Sequence, residues 1–278
     1  MSELTRRQAQ LVKRQISKLY GRNYIPVITG DNTLTIGDIL LKKKDIVAVI
    51  DSSVFSDSNT EFVEGKKTNK NITSNSSVDI TTKLKGEAIL SEHFKVEEAG
   101  LAVEFTSKNQ MFLKVMGIRQ QSIKNFVTFR KELLSKYVTG ELSSKVYVVR
   151  GLVYADNYYL QYSGSNGGTI GFNIDAEIAT VDAEVSANFS LKWKKEVGYN
   201  IDGSNGGVLA YRVSGVRLKR HLIPQEIHTN ILSGMSESEA LDMVAFKDRQ
   251  KLLDDDALEI VDLTDDVLLY NQEDLIKT

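Results

Sequence analysis

The longest regular pattern in this chain is an alternation of apolar and polar residues from Ile170 to Trp193. Successive strand side chains point to opposite faces, so a switch of the apolar positions from even to odd numbers indicates that the chain turns over. We predict two strands of about eleven to thirteen residues joined near Thr180 and Val181. Their predicted apolar face comprises Ile170, Phe172, Ile174, Ala176, Ile178, Val181, Ala183, Val185, Ala187, Phe189, Leu191 and Trp193.

Two explanations of this hairpin remain open. Strands of about nine to eleven residues with one apolar and one polar face are what a membrane-spanning hairpin requires. A hairpin of a soluble protein, packed on the core by one face, has the same alternation. The length favours the membrane explanation, because soluble strands average about five or six residues.

A second, less regular alternation begins at Val78 and predicts another hairpin. Ile89 interrupts the polar face of its outgoing strand. The predicted apolar face comprises Val78, Ile80, Thr82, Leu84, Ala88 and Leu90, followed on the return strand by Leu101, Val103 and Phe105. This hairpin has the same two explanations as the longer one.

The remaining patterns predict an α+β fold with a twisted, largely antiparallel sheet and flanking helices. The segment from Ser52 to Ser77 is rich in Ser, Asn, Lys and Thr and predicts a mobile loop. The other predicted elements are a helix from Leu4 to Tyr20, a pair of short strands or a strand and turn from Thr33 to Asp51, a helix from Ser122 to Tyr137, strand from Val146 to Tyr162 and a last strand from Val208 to Leu218.

Charge divides the chain into a basic body and an acidic end. The net charge is -2 overall, but the residues from His221 onward include 14 acidic and 4 basic ones, which leaves the preceding part at +8. A basic body attracts polyanions such as anionic lipid headgroups or nucleic acid, and an acidic tail can neutralise it. Tails of this composition also serve solubility alone, so both roles stay open.

The candidate lipid-binding residues are basic residues of the first helix and a lysine cluster. A cationic amphipathic helix is typical of a membrane-surface segment, although it can equally pack on the body with its basic face in solvent. The residues are Arg6, Arg7, Lys13, Arg14, Lys18, Lys42, Lys43 and Lys44.

The pentapeptide Gly-Ser-Asn-Gly-Gly occurs twice, on either side of the long hairpin. Neither copy has the lysine and hydroxyl residue of a phosphate-binding loop. The glycines suit hinges at the feet of a hairpin that swings out, or ordinary turns. The candidate hinge residues are Gly167, Gly168, Gly206 and Gly207.

No pattern in the chain indicates catalysis, a cofactor or a metal ion. Cysteine is absent, which excludes disulfides and cysteine nucleophiles, and the three histidines lack metal-ligand spacing. Because no catalytic pattern occurs, we expect a protein that is not an enzyme. The start of the chain lacks the apolar region of a secretory signal, so we expect the protein to be cytoplasmic.

The order of these elements resembles the pore-forming part of the gasdermins over about Leu4 to Leu218. The resemblance rests on the basic helix leading into Tyr24-Ile25-Pro26-Val27, the lysine cluster, the two hairpins around the intervening helix, and two short motifs. These motifs are Val146-Tyr147-Val148-Val149 and Val208-Leu209-Ala210-Tyr211-Arg212-Val213.

The resemblance implies an autoinhibited monomer that a protease activates. The freed body, residues 1–220, would bind acidic lipids, assemble into a ring and insert both hairpins into the plasma or inner membrane, causing cell death as a defence, including antiviral defence. An inhibitory segment, residues 221–278, would dock through its leucines and cover part of the hairpin face. Bacterial relatives carry a lipidated cysteine that this chain lacks. The predicted cleavage region contains Ser233, Gly234, Lys247, Arg249 and Lys251.

Two other functions remain open at this stage. The hairpins could form a permanent sheet in a soluble β-rich binding module whose basic surface binds an anionic partner. A nucleic-acid binder would also explain the basic body, but none of the common nucleic-acid-binding signatures occurs. We therefore expect no nucleic-acid partner.

Overall fold

Helices and two β-sheets make up the part of the chain that the computed structural model describes, so the predicted α+β class is confirmed. The described residues are 3–27, 34–43, 46–51, 61–74, 78–83, 100–108, 110–163, 168–174, 189–195, 200–203, 206–263 and 269–270. The helices are α1 (Glu3–Tyr20), α2 (Phe126–Val138), α3 (Gln225–Leu232), α4 (Glu237–Asp242) and α5 (Phe246–Asp254), with a 3-10 helix at Arg220–Leu222.

Sixteen strands lie within the described ranges. They are β1 (Ile25–Pro26), β2 (Ile39–Lys43), β3 (Ile46–Asp51), β4 (Phe62–Glu64), β5 (Thr68–Thr73), β6 (Val78–Lys83), β7 (Gly100–Phe105), β8 (Met111–Ile123), β9 (Val146–Ala155), β10 (Asn157–Tyr162), β11 (Gly168–Ile174), β12 (Phe189–Lys195), β13 (Asn200–Gly203), β14 (Gly207–Leu218), β15 (Leu258–Asp262) and β16 (Leu269–Tyr270).

The larger sheet, called the central sheet below, has twelve described strands. Its main order is β13-β10-β8-β9-β2-β3-β16, and β14 pairs with β9, β1 and β15. The edge strands β4 and β5 pair with β8. All of these pairs are antiparallel except that of β16 with β3.

The smaller sheet, called the hairpin sheet below, consists of the two predicted hairpins side by side. Its order is β12-β11-β7-β6, and every neighbouring pair is antiparallel. The first hairpin contributes β6 and β7, and the second contributes β11 and β12. In this structure the two hairpins therefore form one continuous four-stranded surface.

Strand β8 separates two layers of the core. Its odd-numbered residues Met111, Leu113 and Val115 belong to a cluster that includes Val12 and Ile16 of α1. Its even-numbered Phe112 belongs instead to the cluster beneath the hairpin sheet. Because side chains alternate along a strand, α1 and the hairpin sheet cover opposite faces of the central sheet.

The C-terminal segment, residues 221–278, shares a core with the body. Leu241, Leu252 and Leu258 pack in one cluster with Leu133 and Tyr137 of α2. Helix α2 itself begins after Asn125, whose side-chain oxygen accepts a hydrogen bond from the Thr128 N–H at 3.1 Å. The segment is thus an integral part of this fold.

The predicted helix at the N-terminus is confirmed, as are strands between 33 and 51 and the last body strand. The predicted helix from Ser122 to Tyr137 is confirmed from Phe126 onward, but Ser122 and Ile123 belong to β8. The predicted strand from Val146 to Tyr162 divides at Asp156 into β9 and β10. The prediction of a loop from Ser52 to Ser77 was wrong for residues 61–74, which contain β4 and β5. These strands are largely exposed, so they lack the apolar alternation that reveals a strand.

Candidate functional site

The residues predicted to face lipid lie opposite one another across the hairpin sheet. Val78 pairs with Phe105 and Ile80 pairs with Val103 in the first hairpin. Across the junction of the hairpins, Val103 pairs with Ile170. Because directly opposite residues point to the same face, these five positions share one apolar face.

That apolar face is buried against the central sheet. Leu101, Val103, Phe105 and Ile170 are at most 1% exposed, Val78 is also buried, and Ile80 packs at the margin of the same cluster. The covering side chains are Phe112 of β8 and Tyr159 of β10. Among the described residues this cluster contains none from the C-terminal segment, so the expectation that the segment covers the face was wrong for this part of it. The reason is that the central sheet already fills that space.

The opposite face of the hairpin sheet is polar. Asp79 of β6 and Glu104 of β7 pair with each other and are exposed. The predicted division into an apolar and a polar face is therefore confirmed for the first hairpin.

The second hairpin has the predicted pairing where residues 172–174 meet residues 189–191. Phe172 pairs with Leu191 and Ile174 with Phe189, so the register is centred between residues 181 and 182, next to the predicted turn. Continued in the same register, this pairing would place Trp193 opposite Ile170, but a shift between Gly171 and Phe172 pairs it with Gly171 instead, so the prediction of unbroken alternation up to Trp193 was wrong. The predicted residues Leu84, Ile178, Val181 and Val185 lie outside the described residues.

A lysine is buried beneath the hairpin sheet. Lys114 of β8 is 7% exposed and pairs with Tyr159, on the same face of the strand as Phe112. Burial lowers the pKa of its ammonium group from 10.5 to about 8. Sequence reasoning missed this residue, although a lysine inside the apolar run Met111-Phe112-Leu113-Lys114-Val115-Met116 was the available signal.

The basic residues of α1 line an open groove of about 930 Å³. The groove brings Lys13, Arg14 and Lys18 together with Arg22, a cation that the prediction did not include. Its lining contains no acidic residue among the described ones: the other lining residues are Gln10, Ser17 and Asn23. This surface, the α1 groove below, is suited to bind an anion.

The other predicted basic residues are only partly described. Arg6 and Arg7 lie within α1, and Lys42 and Lys43 lie within β2. Lys44 lies outside the described residues.

Two of the candidate hinge glycines have backbone conformations that favour glycine. Gly206 has φ of +77° and Gly207 has φ of +150°. A Cβ on Gly206 would lie 2.7 Å from the carbonyl oxygen of Asp156, so close packing also requires glycine there. Gly168 begins β11, and Gly167 lies outside the described residues. The positive φ and the close packing explain the glycine at position 206 without a hinge, so the hinge role stays a prediction.

The carboxylate of Asp262 in β15 joins the C-terminal segment to the body. It accepts hydrogen bonds from Arg150 Nε and Nη2 at 2.8 Å each, and from Arg212 Nε at 2.9 Å and Nη2 at 2.5 Å. Ser214 Oγ donates at 2.7 Å and Asn23 Nδ2 at 2.6 Å. These five residues are called the Asp262 clasp below.

The Asp262 clasp is largely shielded from water. The side chains of Asp262 and Arg150 are each 12% exposed, and that of Arg212 is 29% exposed. Burial raises the pKa of the Asp262 carboxyl, but the hydrogen bonds from Arg212 and Ser214 and the charge of Arg150 outweigh it, so the pKa lies below its ordinary value. Asp262 therefore stays ionised at neutral pH.

Further polar contacts fasten the C-terminal segment elsewhere. The Asp242 carboxylate accepts hydrogen bonds from Ser143 Oγ at 2.6 Å and from the Ser144 N–H at 2.8 Å. The Tyr137 hydroxyl donates to the Leu241 carbonyl at 3.0 Å. Arg249 lies over the Tyr137 ring and donates to the Tyr137 carbonyl at 3.2 Å. Sequence reasoning placed Arg249 in the cleavage region, whereas the structure uses it as an anchor.

The C-terminal segment also covers two edges of the central sheet. Strand β15 pairs with residues 214–218 of β14. Strand β16 pairs with Ile46 and Val47 of β3, at the end of the main strand order. Unpaired strand edges are templates for pairing with another chain, so the segment shields two such templates.

The predicted cleavage residues lie in two different settings. Ser233 and Gly234 are exposed in the turn after α3, where Gly234 has φ of +99°. Lys247, Arg249 and Lys251 lie within α5. A protease acts on extended backbone, so the turn is the more accessible of the two positions.

No helix in the described ranges has both the length and the apolar character needed to cross a membrane. In the same ranges no group of three or more His, Asp or Glu side chains is placed to share a metal ion.

No family model and no curated protein matches this chain. Among solved structures, it is similar to the cryo-EM structure of the gasdermin A3 membrane pore, with 11% identity and a TM-score of 0.38 over 76% of this chain and 90% of that one. It is also similar to a bacterial gasdermin from Bradyrhizobium tropiciagri, with 9% identity and a TM-score of 0.32 over 76% of this chain and 88% of that one. Both similarities concern the fold alone, and the function proposed below is argued from the residues of this chain.

Proposed function

We propose that this chain is an autoinhibited pore-forming protein of the gasdermin kind. A protease cuts within the C-terminal segment, after α3, and the part beyond the cut leaves; the body, residues 1–220, then binds acidic lipids, assembles into a ring and inserts both hairpins. The observation that carries this proposal is the hairpin sheet, whose apolar residues, from Val78 to Ile170, share one buried face while Asp79 and Glu104 share the exposed one. Lipid can replace the central sheet as the cover of that face.

Burial explains why the hairpin sheet stays docked in water. Each fully buried Val, Leu, Ile or Phe side chain is stabilised by about 1.5 to 3 kcal/mol relative to exposure, so the sheet does not lift into solvent. Hydrocarbon is as apolar as the core, so transfer of the same side chains into a bilayer avoids most of this cost. Docking against a membrane must therefore precede or accompany the release of the sheet.

The covered edges support assembly into a ring. In lipid, unpaired backbone groups are too costly, so hairpins insert only if copies pair all the way around. Removal of the C-terminal segment uncovers the edge of β14 at residues 214–218 and the edge of β3 at Ile46 and Val47. Two different free edges per copy allow head-to-tail contacts, which form a ring when the rotation between neighbouring copies closes.

The charge distribution supports binding to acidic membranes. The α1 groove carries Lys13, Arg14, Lys18 and Arg22, and the segment that a cut would remove carries most of the excess acid. Each Lys or Arg near an anionic surface contributes about 1 kcal/mol to binding. In this proposal the protein resides in the cytoplasm until it is cut and then in the plasma or inner membrane, where the pore causes cell death in defence, including defence against viruses.

The cut is placed in the exposed turn at Ser233 and Gly234, because the alternative residues lie in α5. The test is dye release from vesicles containing acidic lipid, by a chain with a specific protease site inserted at Gly234. We expect release only after cutting. No release by a body that is confirmed to be free of its C-terminal segment would overturn the proposal.

A disulfide lock provides the matched control. The chain has no cysteine, and Val216 of β14 lies directly opposite Ile260 of β15. Opposite residues of an antiparallel pair have Cα atoms about 4.5 to 5.5 Å apart, which suits a disulfide. The oxidised double variant Val216→Cys/Ile260→Cys should release no dye after cutting, and it should release dye when a reductant is added.

A soluble binding module is the second candidate function, because a fully buried hairpin face is also what a permanent sheet requires. In that case the α1 groove binds an anionic partner and the hairpin sheet never leaves the central sheet. Dye release distinguishes the two functions, since only the pore former makes vesicles leak.

A further inference from the structure

The donors of the Asp262 clasp all belong to the body. Arg150 lies in β9, Arg212 and Ser214 lie in β14, and Asn23 follows α1. Asp262 is the only member of the clasp that the C-terminal segment supplies. Departure of the segment therefore removes the anion and leaves its binding site in place.

This set of donors is suited to a tetrahedral oxyanion. Two guanidinium groups, one hydroxyl and one amide converge on two carboxylate oxygens, at distances between 2.5 and 2.9 Å. Arginine forks bind phosphate with the same paired geometry that they use for a carboxylate. A phosphate group also offers more acceptor oxygens than Asp262 does.

Loss of the Asp262 carboxylate leaves the positive charges of Arg150 and Arg212 uncompensated, which favours binding of another anion. With Asp262 present, one carboxylate is shared by two guanidinium groups. Burial lowers the pKa of Arg150, the Asp262 carboxylate partly offsets this, and the charge of Arg212 lowers the pKa further. If the carboxylate alone is removed from the intact chain, the two positive charges remain in a largely shielded place without their anion. Such charges are stable only when an anion compensates them.

The location connects this site to the α1 groove. Asn23 donates to Asp262 and also lines the α1 groove beside Arg22. A phosphate group bound between Arg150 and Arg212 would therefore lie at one end of a cationic surface. A lipid headgroup and a free phosphate share the chemistry that this site recognises.

We propose that Arg150, Arg212, Ser214 and Asn23 form a latent phosphate-binding site, which Asp262 occupies as a built-in substitute for the ligand until the C-terminal segment leaves. The timing of exposure rests on the proposed function. The ability of the site to bind phosphate does not rest on the proposed function, and it can be measured on the uncut chain without a membrane.

The test removes the carboxylate and supplies an external anion. The full-length Asp262→Ala variant is heated in sodium phosphate and in sodium chloride at matched ionic strength, so that general screening is equal. We expect phosphate to raise the Tm of the variant by at least about 3 °C more than that of the unaltered chain. The double variant Asp262→Ala/Arg212→Gln should lose this difference.

Equal phosphate responses of the folded Asp262→Ala variant and the unaltered chain would overturn the latent site. If the variant does not fold in chloride, its refolding yield in phosphate is the measurement: recovery supports the site and no recovery overturns it. Because no membrane is involved, this outcome is independent of whether cut protein releases dye.

Vesicles identify the source of the phosphate. Flotation of the cut chain with phosphatidylglycerol vesicles should fall several-fold in the Arg212→Gln variant if the ligand is a lipid phosphate. Unchanged flotation, together with the phosphate response of Asp262→Ala, would support the same site with a free phosphate as its ligand.

Discussion

Val103 and Ile170 lie directly opposite each other where the two hairpins meet, and both side chains are fully buried. The first belongs to β7 and the second to β11, so this pair joins hairpins that are far apart in sequence. The joined hairpins already have the alternating faces that a membrane requires of paired strands. We infer that membrane insertion would need the hairpin sheet to move and lengthen, with little new pairing at this junction.

Charge on the apolar face should block insertion, whereas the same charge on the polar face should not. Ile80 and Asp79 are neighbours in β6 that lie on opposite faces, and Ile80 is only partly buried, so the closed form tolerates its replacement. Ile80→Lys adds a lysine to the face proposed to contact lipid, at about 2 to 4 kcal/mol per copy near the bilayer centre.

We expect cut Ile80→Lys protein to bind vesicles without releasing dye, and cut Asp79→Lys protein to release dye. Circular dichroism and vesicle flotation control for folding and binding. Equal dye release by the two variants would show that the faces are assigned wrongly.

Removal of the buried charge beneath the hairpin sheet should stabilise the closed form. The lowered pKa of Lys114, about 8, means that folding disfavours its charged form, which amounts to about 3 kcal/mol at neutral pH. Lys114→Met should therefore raise the free energy of unfolding at pH 7 and slow dye release after cutting. Lys108→Met, at an exposed position, is the matched control.

The pH dependence of this effect has a definite sign. Below pH 8 both folded and unfolded chains carry the Lys114 proton, so the destabilisation is complete. As pH rises from 8 to 10.5 the folded chain loses the proton first, and the destabilisation disappears. The stability advantage of Lys114→Met measured by urea unfolding should shrink over this interval; a constant advantage would contradict burial as its cause.

Loss of the Asp262 carboxylate should weaken the closed form at neutral pH. Asp262→Asn leaves Arg150 and Arg212 without their shared anion, and breaking a buried ion pair in this way costs about 3 to 5 kcal/mol. Urea unfolding at pH 7 measures the loss, and the uncut variant should also show some dye release. Asp255→Asn removes an exposed carboxylate from the same segment and should change stability by less than about 0.5 kcal/mol.

Acid should remove the same contribution from the unaltered chain. The folded pKa of Asp262 lies below its ordinary 3.8, so its stabilisation is present above that value and is lost as pH falls through the folded pKa. The stability difference between the unaltered chain and Asp262→Asn should therefore be constant from pH 7 to about 5 and shrink below about pH 4. A difference that is undiminished at pH 2, well below the ordinary pKa of 3.8, would mean that the charge of Asp262 is not its source.

Neutralising the α1 groove should weaken membrane binding without affecting stability. Arg14 and Lys18 are exposed, so Arg14→Gln/Lys18→Gln should fold normally. The loss of two cations should reduce binding of the cut chain to acidic vesicles by about 2 kcal/mol, or roughly 30-fold, at low salt. Lys131→Gln/Lys145→Gln removes two exposed lysines outside the groove and should retain binding. Equal losses would indicate attraction by net charge alone.

The local sequence pattern was sufficient to predict the elements that have one solvent-exposed face. The first hairpin and α1 each expose one side and bury the other, so their periods of two and 3.6 residues appear in the sequence. Strand β8 is the contrasting case, because α1 covers one of its faces and the hairpin sheet the other. Its residues from Met111 to Met116 are therefore nearly all buried, and the alternation that marks a strand is missing.

The Asp262 clasp could not be derived from local pattern. Arg150 and Arg212 each stand inside an apolar strand, and Asp262 ends the short run Leu258-Glu259-Ile260-Val261. Asp262 meets the two arginines because β14 pairs with both β15 and β9. This pairing brings Arg150 to Asp262 although they are 112 positions apart in the sequence. A charged residue within a buried strand signals that a partner exists, but only the topology identifies the partner.

The single tryptophan of the chain allows the most direct test of hairpin movement. Trp193 lies in β12, so its fluorescence reports on the second hairpin without any substitution. The measurement is quenching by acidic vesicles whose lipids carry bromine along the acyl chains, before and after a cut at Gly234. We predict little quenching of the uncut chain and strong quenching that develops together with dye release. Dye release from the cut chain without quenching of Trp193 would contradict insertion of the hairpin sheet.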